Sequence, residues 1–200
     1  MPLATNRKLT LSEFLAYDDG SDRRYELVDG VIVEMGAEST LNTMIAMYLI
    51  FAFGGLGIPH YQIGLKQLIE VPSRYATARD PDLIIHSEAS ALALSGRKEA
   101  CLKLEDPHPL LVIEIVSQGT ESSDNYQRDY VKKSQEYAAR EIPEYWLVDP
   151  QRQWVKVGRL IDGGSDRKYD FLTFQGEEAI VSPTFAEFKP IASQVLSAGK

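Results

Sequence analysis

Apolar and polar positions recur along this chain with two periods, near two and near 3.6 residues, and the switches between them mark its elements. Thr10 followed by Glu13 has capping-box spacing, which predicts a short helix over TLSEFLAY. RRYELVDGVIVEM carries two β-rich runs around Asp29-Gly30, a pair that predicts a hairpin turn. Ser39 stands where an N-cap belongs, ahead of an apolar run predicted to be helical as far as about Phe53. IGLKQLIEV alternates like one half-buried strand stopped by Pro72, and DLIIH, from Asp82 to His86, reads as a short strand entered through Pro81.

A polar connection, 87–109, partly helical, leads to LLVIEIV, an apolar run of the kind buried on both faces of a sheet. A long polar helix is predicted over 123–140, followed by the apolar strand EYWLVDP. Strand, helix and strand in that order form a βαβ unit with a parallel pair. WVKVGRLI and KYDFLTF read as a further hairpin, and FAEFKPIASQVL as a tail ending in a short helix. The pattern predicts an α/β fold: a mixed central sheet flanked by helices, with additional β-hairpins. No internal repeat or linker interrupts it, so one domain is expected over 1–200.

Composition sharpens this picture at a few points. With 200 residues, 44% hydrophobic and 25% charged, the chain has enough apolar material for a sizeable core. The run 39–65 contains no charge, and a membrane span needs only about 20 apolar residues. Asn42, Gly54, Gly55, Gly57 and Pro59 interrupt it, which predicts a buried core helix and no membrane partner. The N-terminal stretch lacks the apolar core of a secretory signal, and Cys101 is a lone cysteine; both point to a reduced, cytoplasmic setting. A net charge of −8 argues against coating nucleic acid non-specifically, yet permits a local basic patch or a metal-dependent site.

The candidate chemistry lies where charge interrupts apolar pattern. Asp82 opens one buried strand and Glu114 sits in the middle of another, where an unpartnered carboxylate is costly. Backbone N–H partners or a raised pKa would explain either acid alone; two on neighbouring strands can also converge on a hard cation such as Mg²⁺. On an ideal helix Tyr126, Tyr130, Lys133 and Tyr137 form one stripe, so Lys133 borders the buried face while Lys132, near Glu136, is solvated. Lys133 alone could snorkel to water or pair with Asp129. Two inward carboxylates with a bordering ammonium make a phosphodiester-cleaving set.

Pro81-Asp82 followed by EIV at Glu114 resembles the PD-(D/E)XK nuclease signature, with Val116 where its lysine would stand. YELVDG, RDPDLII, LLVIEIVSQGT, RDYVKKSQEYAAR and IPEYWLVDP, in that order, resemble the Uma-type restriction-endonuclease-like proteins over nearly the whole chain. The resemblance implies a restriction-endonuclease-like fold and Mg²⁺-dependent endonuclease activity on nucleic acid, DNA foremost, with Mn²⁺ as the alternative ion. It places the lysine on the helix, in a D-x-x-x-K-x-x-x-Y pattern matched by Asp129, Lys133 and Tyr137. It makes Asp82 and Glu114 metal ligands, Lys133 the phosphate-facing base or electrostatic group, and Glu26 of YEL an auxiliary acid. Asn42 replaces a frequent family histidine, Gln118 a proline, and Glu141 a glycine that serves as a left-handed helix cap.

Other groups read as structural. His60, His86 and His108 follow no metal spacing and are expected on the surface or satisfied in the core. Ser117, Thr120, Ser122 and Ser123 suit turns and caps, and Trp146 and Trp154 core or interface. No G-x-S-x-G, G-x-x-x-x-G-K-[ST] or G-x-G-x-x-G motif occurs. The aromatic C-terminal hairpin offers a surface for a homodimer. The competing function is a catalytically inactive metal-binding or dimeric interaction protein on the same fold.

Overall fold

The computed structural model describes residues 7–21, 23–36, 39–117, 127–161, 163 and 167–199. Chain order runs α1 (Leu11–Leu15), the hairpin β1 (Tyr25–Val28) and β2 (Val31–Glu34), α2 (Thr40–Gly55), then β3 (Ile63–Gly64), β4 (Leu68–Val71), β5 (Thr77–Arg79) and β6 (Leu83–Ile85). After α3 (Glu88–Leu94) come β7 (Cys101–Leu102) and β8 (Leu111–Ile115). A π-helical turn, Gln127–Lys132, continues into α4 (Lys133–Ala139); β9 (Glu144–Asp149), β10 (Trp154–Ile161), β11 (Lys168–Phe174) and α5 (Ala192–Leu196) follow.

The strands divide into two sheets, β2-β1-β5-β4-β7 and β11-β10-β9-β8-β6-β3. The expected parallel pair is β8 beside β9, Glu114 opposite Leu147, and both expected hairpins form. Asp29 and Gly30 both take positive φ, 50° and 77°, the conformation a tight two-residue hairpin requires. The capping box at Thr10 and Glu13 closes, and Ser39 caps α2 through the Asn42 amide.

IGLKQLIEV is not one strand. Lys66 turns the chain at φ 54°, so Ile63–Gly64 joins the six-stranded sheet and Leu68–Val71 the five-stranded one. Alternation continues across this break because each fragment buries its own inner face. The chain crosses between sheets again at Asp80-Pro81-Asp82, directly between β5 and β6. That crossing sets the site at the junction of the sheets.

β8 is buried on both faces, as its apolar run predicts. Ile113 and Ile115 face Ile45, Leu49 and Phe53 of α2, while Val112 and Val116 face Tyr137 and Ala138 of α4. Each fully buried side chain of this size contributes about 1.5–3 kcal/mol by leaving water. Glu114 falls on the α4 side by alternation. Within the described residues, no helix is long and apolar enough to cross a membrane, and α2 is a core helix as expected.

Candidate active site

Glu114 is 4% exposed, and two side chains of α4 answer it. Lys133 Nζ donates to Glu114 Oε2 at 2.8 Å, and the Tyr137 hydroxyl donates to Oε1 at 2.7 Å. Their four-residue spacing sets both one turn apart over the same carboxylate. Burial, then the charge of Glu114, drives the Tyr137 hydroxyl well above the ordinary tyrosine range, so it stays a proton donor.

Lys133, 2% exposed, reaches a second acid from the other sheet: its Nζ lies 3.2 Å from Glu26 Oε1 on β1. Glu26 also accepts from Arg79 Nη1 at 2.8 Å and from the Asp80 backbone N–H at 3.2 Å. Burial alone would raise the Glu26 carboxyl. The nearby ammonium of Lys133 and guanidinium of Arg79 outweigh it and hold the group at about 2. Arg79 in turn grips Glu136 through Nε at 2.7 Å and Nη2 at 2.8 Å, a bidentate fork of the strong kind.

Asp82 meets the same place through the backbone. The β6–β8 register pairs Leu83 with Ile113, so Asp82 continues it opposite Glu114. Its Oδ2 accepts the Ile115 N–H at 2.6 Å, one residue beyond Glu114. Asp80 is bound by Arg24, Nη2 at 2.6 Å and Nε at 2.8 Å from Oδ2. Its Oδ1 is buried with no hydrogen-bond partner among the described residues. Burial lifts the Asp80 carboxyl above its ordinary value, with the Glu26 charge adding to it and Arg24 opposing.

All four residues singled out in the sequence, Glu26, Asp82, Glu114 and Lys133, are therefore brought together. Lys133 does not snorkel to water but is buried between the two acids; the Asp129 side chain, its other expected partner, lies outside the described residues, as do Tyr126, Gln118, Thr120, Ser122 and Ser123. The predicted stripe divides at the π-helical turn. Lys133 and Tyr137 reach Glu114, whereas the Tyr130 hydroxyl donates to Asp149 at 2.7 Å and accepts from Trp154 Nε1. Glu136, expected on the wet side, is drawn in by Arg79. Asn42 donates to the Ile115 carbonyl at 3.3 Å, on the other side of the Asp82 contact. Glu141 takes φ 64°, the left-handed conformation that favours glycine at a helix end.

The set missed in the sequence is Arg79, Glu136, Asp80 and Arg24. The RDPD run held the signal, since an arginine inside a buried strand demands acidic partners. His86 is a core residue between Ser90 Oγ at 3.1 Å and Gln67 Oε1 at 2.6 Å, with burial pushing its ring down to about 4.

The donor set fits a hard divalent cation. Five carboxylates (Glu26, Asp80, Asp82, Glu114, Glu136) face three cations (Arg24, Arg79, Lys133), a formal surplus of two negative charges. The bonded oxygens of Asp82 and Glu114 each retain further acceptor capacity. No group of three or more His, Cys, Asp or Glu among the described residues could enclose a metal by itself. Mg²⁺ is typically held by one or two carboxylates together with water and substrate phosphate, and Asp82 and Glu114 are the pair that would supply them.

The fold is similar to a solved structure described as a "putative nuclease belonging to DUF820" from Anabaena variabilis ATCC 29413. The two share a TM-score of 0.71 at 18% identity, over 96% of this chain and 99% of that one. No curated protein sequence matches the chain significantly. The family model described as "Uma2: Putative restriction endonuclease" matches residues 11–195, and the chain belongs to that family.

Proposed function

We propose that this protein is a divalent-metal-dependent endonuclease that hydrolyses phosphodiester bonds of DNA. The observation that carries the reading is the bridge of Lys133 between Glu114 and Glu26, with Asp82 anchored to the amide after Glu114. Asp82 and Glu114 are the residues that would hold Mg²⁺, or Mn²⁺ in its place. A bound divalent ion would lower the pKa of water and offset charge developing on the phosphate.

The protein's own residues prepare that chemistry. Glu26 and Glu114 hold the Lys133 ammonium in one orientation beside the Glu114 carboxylate, where it would act as the electrostatic group of the site. Tyr137 fixes the Glu114 carboxylate from the opposite oxygen. Arg79 and Glu136 hold Glu26 in place from behind, as positioning residues. The Ile115 N–H locks the Asp82 rotamer beside the sheet.

The test is cleavage of single-stranded, double-stranded and branched DNA in Mg²⁺ and Mn²⁺. Asp82→Ala and Glu114→Ala should each abolish it while circular dichroism shows a folded protein; cleavage surviving either change overturns the site. The net charge of −8 favours one rival, a metal-binding protein without turnover. Calorimetric Mn²⁺ binding with no cleavage of any substrate would establish that rival.

A cytoplasmic setting belongs to the same proposal. It is supported by Cys101, a lone and free cysteine with no partner for an internal disulfide. A homodimer also belongs to it, pairing along the edge strand β11, where Leu172 is 59% exposed.

A further inference from the structure

We propose that the cleft beside Asp82 is a pocket for an unpaired nucleobase, so that the preferred substrate is single-stranded rather than closed duplex DNA. This rests on the nuclease reading above and names what that site selects.

The cleft holds about 350 Å³, within the range of roughly 300–1,000 Å³ usual for ligand sites, and Asp82 forms part of its lining. One wall is apolar, made by Ala46, Met47 and Ile50 of α2 together with Leu65. Residues three and four apart share a helix face, so Ala46, Met47 and Ile50 present one continuous surface. Met47 and Leu65 are each 44% exposed, an open apolar wall next to a dense charge cluster. Such a wall beside a catalytic acid calls for a ligand with an apolar face.

Closed duplex DNA offers phosphates and polar base edges outward and keeps its base faces stacked. An unstacked base exposes the flat apolar surface that this wall would cover, and exposing it is least costly in a single strand. The same cleft brings Lys66, an exposed cation, for a neighbouring phosphate, while Arg24 in the lining is committed to Asp80. The turn at Lys66 between β3 and β4 sets this lysine at the mouth of the cleft beside Leu65. Asn42, also in the lining, commits its Nδ2 to the Ile115 carbonyl and so ties the cleft to the strand carrying Glu114.

The experiment is fluorescence anisotropy with a labelled single-stranded oligonucleotide and with its blunt duplex. Ca²⁺ replaces Mg²⁺, so binding is read without turnover. The single strand should bind about tenfold tighter, and Met47→Glu should weaken it about tenfold, the scale set by the stacking of one base. Met47→Leu should restore binding, and Leu92→Glu, a largely exposed position that lines a different cleft, should leave it unchanged. Lys66→Ala should lower the slope of log affinity against log salt by about 0.7, one phosphate contact on a single strand. Equal affinity for strand and duplex, or indifference to Met47→Glu in a protein with unaltered melting, overturns the pocket. Cleavage in Mg²⁺ is scored separately. A protein that cuts both substrates equally well loses the pocket and keeps the nuclease. One that binds single strands through Met47 and never cuts loses the nuclease and keeps the pocket.

Discussion

Lys133 Nζ stands 2.8 Å from Glu114 Oε2 across a sequence separation of 19, and 3.2 Å from Glu26 Oε1 in the other sheet. One ammonium thus answers two buried carboxylates that would otherwise face each other's charge. Paired in this way the acids are tolerated; unpaired they are not.

Replacing Lys133 by Met keeps the volume and removes the charge, leaving Glu26 and Glu114 uncompensated on that side. The expected loss is about 3–5 kcal/mol in urea unfolding. Adding Glu114→Gln should recover part of it, giving a coupling of about 0.5–3 kcal/mol in a double-mutant cycle. A Lys133→Met loss no larger than that of a surface change, about 0.5 kcal/mol, would contradict the burial and pairing described here.

Glu26 predicts an acid-sensitive window. Its carboxyl is held at about 2 in the folded protein, below its ordinary 4.5. Between those values the unfolded chain binds more protons than the folded one. The stabilisation is therefore complete above about 4.5 and fades as pH falls through about 2. It amounts to something on the order of 3 kcal/mol. Glu26→Gln should flatten the acid limb of a plot of unfolding free energy against pH over that window.

His86 predicts a second window at higher pH. Burial lowers its ring from 6.5 to about 4, so the folded protein favours the neutral form. The unfolded chain takes up a proton first as pH falls. The stabilisation is full above about 6.5 and diminishes towards about 4, with a slope up to about 1.4 kcal/mol per pH unit. His86→Asn will lower stability throughout, and it should also remove the pH dependence between those limits. A slope that persists in the variant would assign the window to another group.

How much of this was legible in the chain depends on the range of the interaction. Glu114 announced itself because a charge inside LLVIEIV has no local explanation, and Lys133 because Tyr137 follows it at helical spacing. The hairpin at Asp29-Gly30 and the capping box at Thr10 are written in neighbouring residues. Arg79 was not legible in the same way, since its partners Glu26 and Glu136 lie 53 and 57 positions away. Glu136 looked solvated because helix periodicity ranks faces by apolar content, and a half-buried salt bridge breaks that ranking. The π-helical turn at Gln127–Lys132 was equally hidden, since an ideal 3.6-residue stripe keeps Tyr130 with Lys133. The division of IGLKQLIEV between two sheets depends on a single residue, Lys66, with positive φ.

Glu141 offers a change that should stabilise the protein. It follows the Arg140 cap of α4 at φ 64°, where a β-carbon crowds the backbone at a cost of roughly 1–2 kcal/mol. Its carboxylate gains an ion pair with Arg167 at 2.9 Å, but both side chains are well exposed, 54% and 40%, and such pairs contribute about 0–1 kcal/mol. Glycine accepts the left-handed conformation freely, although it also gives the unfolded chain more freedom to lose. The backbone gain exceeds these two losses, so Glu141→Gly should raise the unfolding free energy by about 0.5–1 kcal/mol. Glu141→Ala separates the causes: it removes the ion pair and keeps the strain, and should be neutral or slightly destabilising. If glycine and alanine behave alike in urea titrations, the backbone conformation is not what limits this helix end.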